Sequence, residues 1–213
     1  MKNFKKISLL GVYAIVFAFI SCSYEPEIGS RVTIYPIVTL NGESLVLLQQ
    51  GTPYQELGAV SLAGDTELPV TIAGSVDPST PGPYKVTYSS VNPDGFSVSE
   101  TRTIIVMSAT PSTLNLEGTF FRNGNANNVV RISDRVYTAD NAGGLAASAV
   151  NSPNFLFVTF YVYDDAHIYI PSQVTPSGIT VESISGTIIS NNNFRWVLAA
   201  SSFYGTAVRN FVR

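Results

Sequence analysis

The chain holds one cysteine, one histidine and one tryptophan in 213 residues, and charged residues make up only 13% of it against a usual ~25%. Each scarcity excludes something. With Cys22 as the sole cysteine, no disulfide can form within one molecule. With His167 as the sole histidine, a zinc site with the usual three or four protein ligands is not expected. No Gly-x-Ser-x-Gly elbow is present, so a Ser-His-Asp nucleophile has no recognisable setting. Lysine and arginine are few and scattered, whereas phosphate backbones require clustered cations, so nucleic acid is not an expected partner. No metal and no cofactor is expected. Beyond the N-terminus, no segment is long and periodic enough to be read as a helix.

The N-terminus is the most legible part. Lys2, Lys5 and Lys6 precede an uncharged apolar run from Ile7 to Ile20. That run is shorter than the ~20 residues a membrane-spanning helix needs, which predicts a cleaved signal peptide over residues 1–21. It ends in Phe19-Ile20-Ser21-Cys22, which resembles a lipobox, the tetrapeptide cut ahead of an acylated cysteine. Ser21 supplies the small residue, while Phe19 departs from the usual leucine. The resemblance implies that Cys22 carries diacylglycerol and a palmitate-type acyl chain, so that the membrane is a partner through the lipid anchor. Losing the three lysines takes the formal charge from −3 to −6. Residues 22–30, with Glu25, Pro26, Glu27 and Gly29, read as an acidic tether. Acidic residues at that place resemble the surface-export signal of Bacteroidota-type lipoproteins, which implies an outer-membrane location, at the cell surface or else on the periplasmic face.

Two all-β domains are expected beyond the tether. In residues 31–108, short strands are punctuated by Gly, Pro and Asn at the density of an immunoglobulin-like sandwich. Asn41-Gly42 predicts a type I′ hairpin turn. Tyr84, Val86 and Tyr88 alternate onto one face, and Asn92-Pro93-Asp94-Gly95 turns the chain into the strand that follows. Gly51-Thr52-Pro53-Tyr54, Leu57-Gly58-Ala59, Gly74-Ser75-Val76-Asp77, the run Pro81 to Tyr88 and Arg102-Thr103-Ile104-Ile105-Val106 together resemble the bacterial Ig-like module of cell-surface proteins. Asp65-Thr66-Glu67 departs from its usual Asp-Gly step. The resemblance implies a spacer.

A Ser/Thr/Pro linker from Ser108 to Thr113 leads to a second all-β domain, sandwich or barrel-like, over residues 114–213. Its strands are expected at 118–122, 129–133, 155–163, 167–171, 179–189, 194–200 and 206–212. The stretch from Val136 to Gly144 resembles an element of C-terminal domains in Bacteroidota-type lipoproteins that accompany glycan-uptake systems. That likeness implies a polysaccharide, or an outer-membrane uptake complex, as partner.

Few residues here suit catalysis. Asp164 and Asp165 are adjacent at an expected hairpin turn and make a poor acid/base pair, and Asp134 and Asp140 lack the spacing of a calcium loop. The hairpin is more informative. Leu156, Val158, Phe160, Val162, Ile168 and Ile170 share an aliphatic face that must be core, leaving Tyr161, Tyr163, Tyr169 and His167 on the other. That second face is either covered by another surface or is a binding platform. Trp196, with Arg195 beside it and Asn191 to Asn193 nearby, is either a sandwich-core tryptophan or part of a sugar site. The expected function is that of a non-catalytic surface binding or accessory lipoprotein, with glycan capture through Tyr161, Tyr163, Tyr169, Trp196 and Arg195. The alternative is a structural or adhesive lipoprotein engaging only proteins.

Overall fold

A computed structural model describes residues 32–152, 154–200 and 207–213. The expected signal peptide, Cys22 and the tether at residues 22–30 lie outside the described residues. From Ile34 to Arg213 the chain forms one compact unit, built almost wholly of strands.

The first seven strands are β1 (Ile37–Leu40), β2 (Leu45–Gln49), β3 (Ala59–Ala63), β4 (Thr66–Leu68), β5 (Thr71–Ala73), β6 (Gly82–Val91) and β7 (Ser97–Met107). Strands β1, β3 and β4 make one sheet, and β2, β7, β6 and β5 make the other. The two sheets enclose Val38, Val86, Tyr88, Ile104 and Val106, which is the Ig-like sandwich. Tyr84, Val86 and Tyr88 point into this core together, as their alternation requires. The Asn92 side chain organises the β6–β7 turn by accepting from the amides of Asp94 and Phe96 at 3.1 and 2.8 Å, and Gly95 takes the positive φ there.

Asn41-Gly42 is not the expected hairpin. Strand β1 pairs with β3, whereas β2 runs parallel to β7 in the opposite sheet, so this dipeptide carries the chain from one layer to the other. Only Gly42 has a positive φ, where a type I′ turn needs two. The crossover is fixed instead by Arg102, whose guanidinium donates to the carbonyls of Asn41 and Glu43.

The second half contains β8 (Gly118–Arg122), β9 (Asn125–Ser133), β10 (Val136–Ala139), β11 (Val158–Asp164), β12 (His167–Tyr169), β13 (Gln173–Val174), β14 (Thr180–Ser190), β15 (Asn193–Ala200) and β16 (Val208–Val212). Strands β8 to β12 pair antiparallel in sequence order. Strand β12 then meets β14 at His167 and Thr187, β14, β15 and β16 follow in order, and β16 returns to β8 at Val212 and Phe121. The result is an eight-stranded up-and-down barrel, with the short β13 attached to β14 outside the ring. Closure removes the free edges an open sheet would leave. It also demands close approach between β12 and β14: a Cβ on Gly186 would lie 2.4 Å from the Ile168 carbonyl oxygen.

Inward positions fill the barrel. Phe120, Phe160, Phe194, Trp196 and Phe211 are buried together, with ring centroids 4.7 Å apart for Phe120 and Phe194 and 4.8 Å for Phe194 and Trp196. The aliphatic face expected of the hairpin, from Leu156 to Ile170, lies in this same core. Outward positions are mixed: Asn128 and Arg195 are exposed, and so are Val130, Ile132, Val208 and Val212. Among the described residues, no helix is long and apolar enough to cross a membrane.

Candidate functional site

The outer face of the β11–β12 hairpin is covered. Strand β7 alternates Ile104 and Val106 into the sandwich and Ile105 and Met107 outward. Those outward residues, with Leu45, pack against Val136, Tyr161, Tyr163 and Tyr169 of the barrel. Tyr161 and Tyr169 are only 9% and 6% exposed, and Tyr163 is half-buried. This corrects the expectation of an open tyrosine platform: the faces of these rings are spent on a seam between sandwich and barrel, which removes from water the apolar surface that both sheets would otherwise leave wet. The signal for it was present in Ile104-Ile105-Val106-Met107, since a continuous apolar run marks a strand buried on both sides.

Polar contacts fix the register of the seam. The Tyr169 hydroxyl donates to a Glu182 carboxylate oxygen at 2.6 Å, and Lys85 of β6 reaches the same oxygen at 2.6 Å. Burial, then the neighbouring Glu182 carboxylate, holds the Tyr169 phenol far above its ordinary pKa, so it remains a donor. The linker is tied down as well. The Ser108 amide donates to the Tyr163 carbonyl at 2.7 Å, and Arg135 donates to the Thr110 carbonyl at 2.8 Å while pairing with Asp165 at 3.0 Å. Arg135 adopts a φ of 59° in the β9–β10 turn, an uncommon backbone for a non-glycine residue, and is almost wholly buried.

Two hollows open beside this seam. One, of about 480 Å³, lies between the linker from Met107 to Pro111 and the β9–β10 turn at Asp134 and Arg135. The other, of about 290 Å³, is bounded by Ser44, Leu45 and Thr101 of the sandwich and by Thr159, Tyr161, Pro171, Ser172 and Gln173 of the barrel.

The remaining expected site residues are not gathered here. Trp196 is 1% exposed, donates its indole N–H to the Ala142 carbonyl at 2.9 Å and belongs to the barrel core, so its sugar-site alternative is corrected. Arg195, one residue away, projects from the outer face, opposite Thr187 and Asn210 in the neighbouring strands. The period of two separates them. His167 stacks on Tyr163 at 5.4 Å with 2° between the ring planes, and its Nδ1 lies 2.9 Å from Asp164. Asp164 ends β11 opposite His167 and Asp165 opens the hairpin turn, with Asp164 accepting from the Ala166 amide at 2.8 Å. Among the described residues, no group of three or more His, Cys, Asp or Glu is placed to hold a metal.

The Val136 to Gly144 element begins as wall strand β10 and continues into a loop whose Ala142 is buried in the barrel core. Asp140 accepts from both the amide and the side chain of Asn128. Asn141 donates to the carbonyls of Ala126 and Leu145 at 2.8 Å and accepts from the Leu145 amide at 2.9 Å. Sequence reasoning also passed over Arg102, 1% exposed, which pairs with Glu56 and donates to the Tyr88 hydroxyl at 2.9 Å. Its clue was alternation, which sets Arg102 on the core face with Ile104 and Val106.

Residues 38–106 match the family described as bacterial surface protein, Ig-like domain. No curated protein matches the chain. Among solved structures it is similar to a lipoprotein from Bacteroides thetaiotaomicron, at 20% identity over 84% of this chain and 98% of that one, with a TM-score of 0.37. It is also similar to the M60 catalytic domain with two CBM51 domains from Clostridium perfringens ZmpB, at 9% identity over 84% of this chain and 21% of that one, with a TM-score of 0.30. Likenesses this distant carry no argument about function.

Proposed function

We propose that the chain is an exported, lipid-anchored module of the bacterial cell surface that binds or supports a partner without catalysing a reaction, and that its ligand is a glycan. The observation that carries the surface-module reading is the match of residues 38–106 to a bacterial surface Ig-like family, in a half that shares a buried seam with the barrel; the glycan is taken from the likeness of Val136 to Gly144 to domains that accompany glycan uptake. A spacer welded to the domain it carries sets how that domain is presented. The lipobox-like Phe19 to Cys22 supplies the anchor. Metabolic labelling with a fatty-acid analogue tests it: the wild type takes up label and Cys22→Ala does not, and equal label on both would sink the anchor. A glycan array probed with the mature chain tests the ligand class.

A second reading, adhesion to protein, has one observation in its favour. On the outer face of the three-stranded sheet, Ile37 lies opposite Leu62 with Val60 on the neighbouring pair, and all three are exposed. Exposed apolar patches of this kind mark interaction surfaces. Retention of a protein partner that Leu62→Lys abolishes, with no glycan bound, would favour it.

A further inference from the structure

The smaller hollow at the seam has a lining that selects chemistry. Its hydroxyls come from separate parts of the chain: Ser44 ahead of β2, Thr101 on β7, Thr159 on β11 and Ser172 beyond β12. None of its lining side chains is charged, so a carboxylate, phosphate or ammonium group would enter without a counter-ion and lose hydration uncompensated. Gln173 holds the wall together. Its amide accepts from the Thr159 amide at 2.8 Å and donates to the Thr159 carbonyl at 2.8 Å, as a neighbouring strand would, beyond the last β11–β12 pair at Tyr161 and Tyr169.

Tyr161 stands apart from these groups. Its ring packs in the seam, yet its hydroxyl makes no hydrogen bond among the described residues, and it is not one of the fully enclosed polar atoms without a partner. A tyrosine this buried ordinarily has its hydroxyl satisfied. Burial also raises its pKa, so at neutral pH the hydroxyl both donates and accepts. Sugar hydroxyls do the same, and the surrounding Ser and Thr groups match them.

We propose that this hollow binds a single neutral pyranose unit, such as the end of a glycan chain, with the Tyr161 hydroxyl as its principal hydrogen-bonding group and Leu45 and Pro171 as apolar walls. The proposal rests on the glycan-capture reading and gives it a site. The sugar is read by the edge of the tyrosine, because the ring face is committed to packing. The volume of about 290 Å³ falls just below the ~300–1,000 Å³ of pockets for drug-sized ligands, which suits one ring rather than an extended chain.

The test is calorimetric titration of the full chain, held in a non-glycosidic detergent, with methyl glucoside, methyl galactoside, methyl mannoside and glucuronic acid. At least one neutral pyranoside should bind in preference to the acid. Tyr161→Phe keeps the ring and the seam, so it should weaken that binding roughly five- to ten-fold without moving the thermal midpoint. Ser172→Trp, which fills the hollow from its exposed rim, should abolish binding with the fold intact. Glycan binding that survives both variants overturns this site and leaves glycan capture standing. Preference for glucuronic acid overturns the neutral-ligand assignment. Binding of no pyranoside here and no glycan on an array overturns both the site and the reading it rests on.

Discussion

Arg102 shows what a single residue does in this fold. Taking a guanidinium out of water is costly unless its donors find partners. Here the partners are the Asn41 and Glu43 carbonyls, the Tyr88 hydroxyl and the Glu56 carboxylate, so one side chain pins the crossover between sheets to the strand that crosses under it. Glu56 shows the reciprocal effect. Burial pushes its pKa up, but hydrogen bonds from Tyr88, Tyr54 and the Gly58 amide, with the Arg102 charge, outweigh burial and leave it below the ordinary 4.5. A carboxyl whose folded pKa is depressed stabilises the fold above its unfolded pKa, and that contribution is lost as pH falls through the folded value. Denaturant midpoints of the wild type should therefore fall on acidification below about pH 4.5. Glu56→Gln should be less stable at neutral pH and show a flatter acid limb, and an unchanged limb would mean that Glu56 does not gain its stability from being charged. The residues of this network were readable, but their meeting was not: Glu56, between β2 and β3, and Arg102, on β7, are distant in sequence, and only the folded sandwich brings them together.

At the scale of elements, local pattern succeeded wherever one strand explains itself. The β8 span from Gly118 to Arg122, the inward faces of β6 and β11, and the Asn92 to Gly95 turn all follow from alternation and turn chemistry. The Asn41-Gly42 reading failed because dipeptide preference says nothing about which sheet the next strand joins. Closure of the barrel was likewise beyond local pattern, since it depends on the last strand meeting the first. Gly186 is the exception, a residue whose identity records a tertiary contact. Any Cβ there meets the Ile168 backbone, so Gly186→Val should part β12 from β14 and cost on the order of 1–3 kcal/mol or more. Thermal unfolding checks the cost, and hydrogen exchange should show lost protection at His167 and Thr187. A neutral substitution would mean the ring is not tightly closed at that point.

For the whole molecule, the consequential feature is the seam. Its apolar centre at Ile105, Met107, Tyr161 and Tyr169, the Lys85–Glu182–Tyr169 contacts and the Arg135 tie to the linker join sandwich and barrel through side chains as well as through the chain itself. Proteolytic nicking between Thr110 and Thr113 should therefore leave both pieces together, as one species in gel filtration with one unfolding transition. Two separating fragments would show the seam to be too weak to hold them. The sequence by itself determined the all-β class, the places of most barrel strands though not of β10 or β13, the aliphatic face of the β11–β12 hairpin and the N-terminal lipobox-like motif, because each is written in residues near one another in the chain. Only the tertiary structure decided that the barrel closes, that Trp196 faces inward while Arg195 faces out, and that the tyrosine face is covered. Alternation assigns residues to two faces of a strand, but which surface lies against each face is settled by the folded chain as a whole, which buries apolar area wherever two such faces fit.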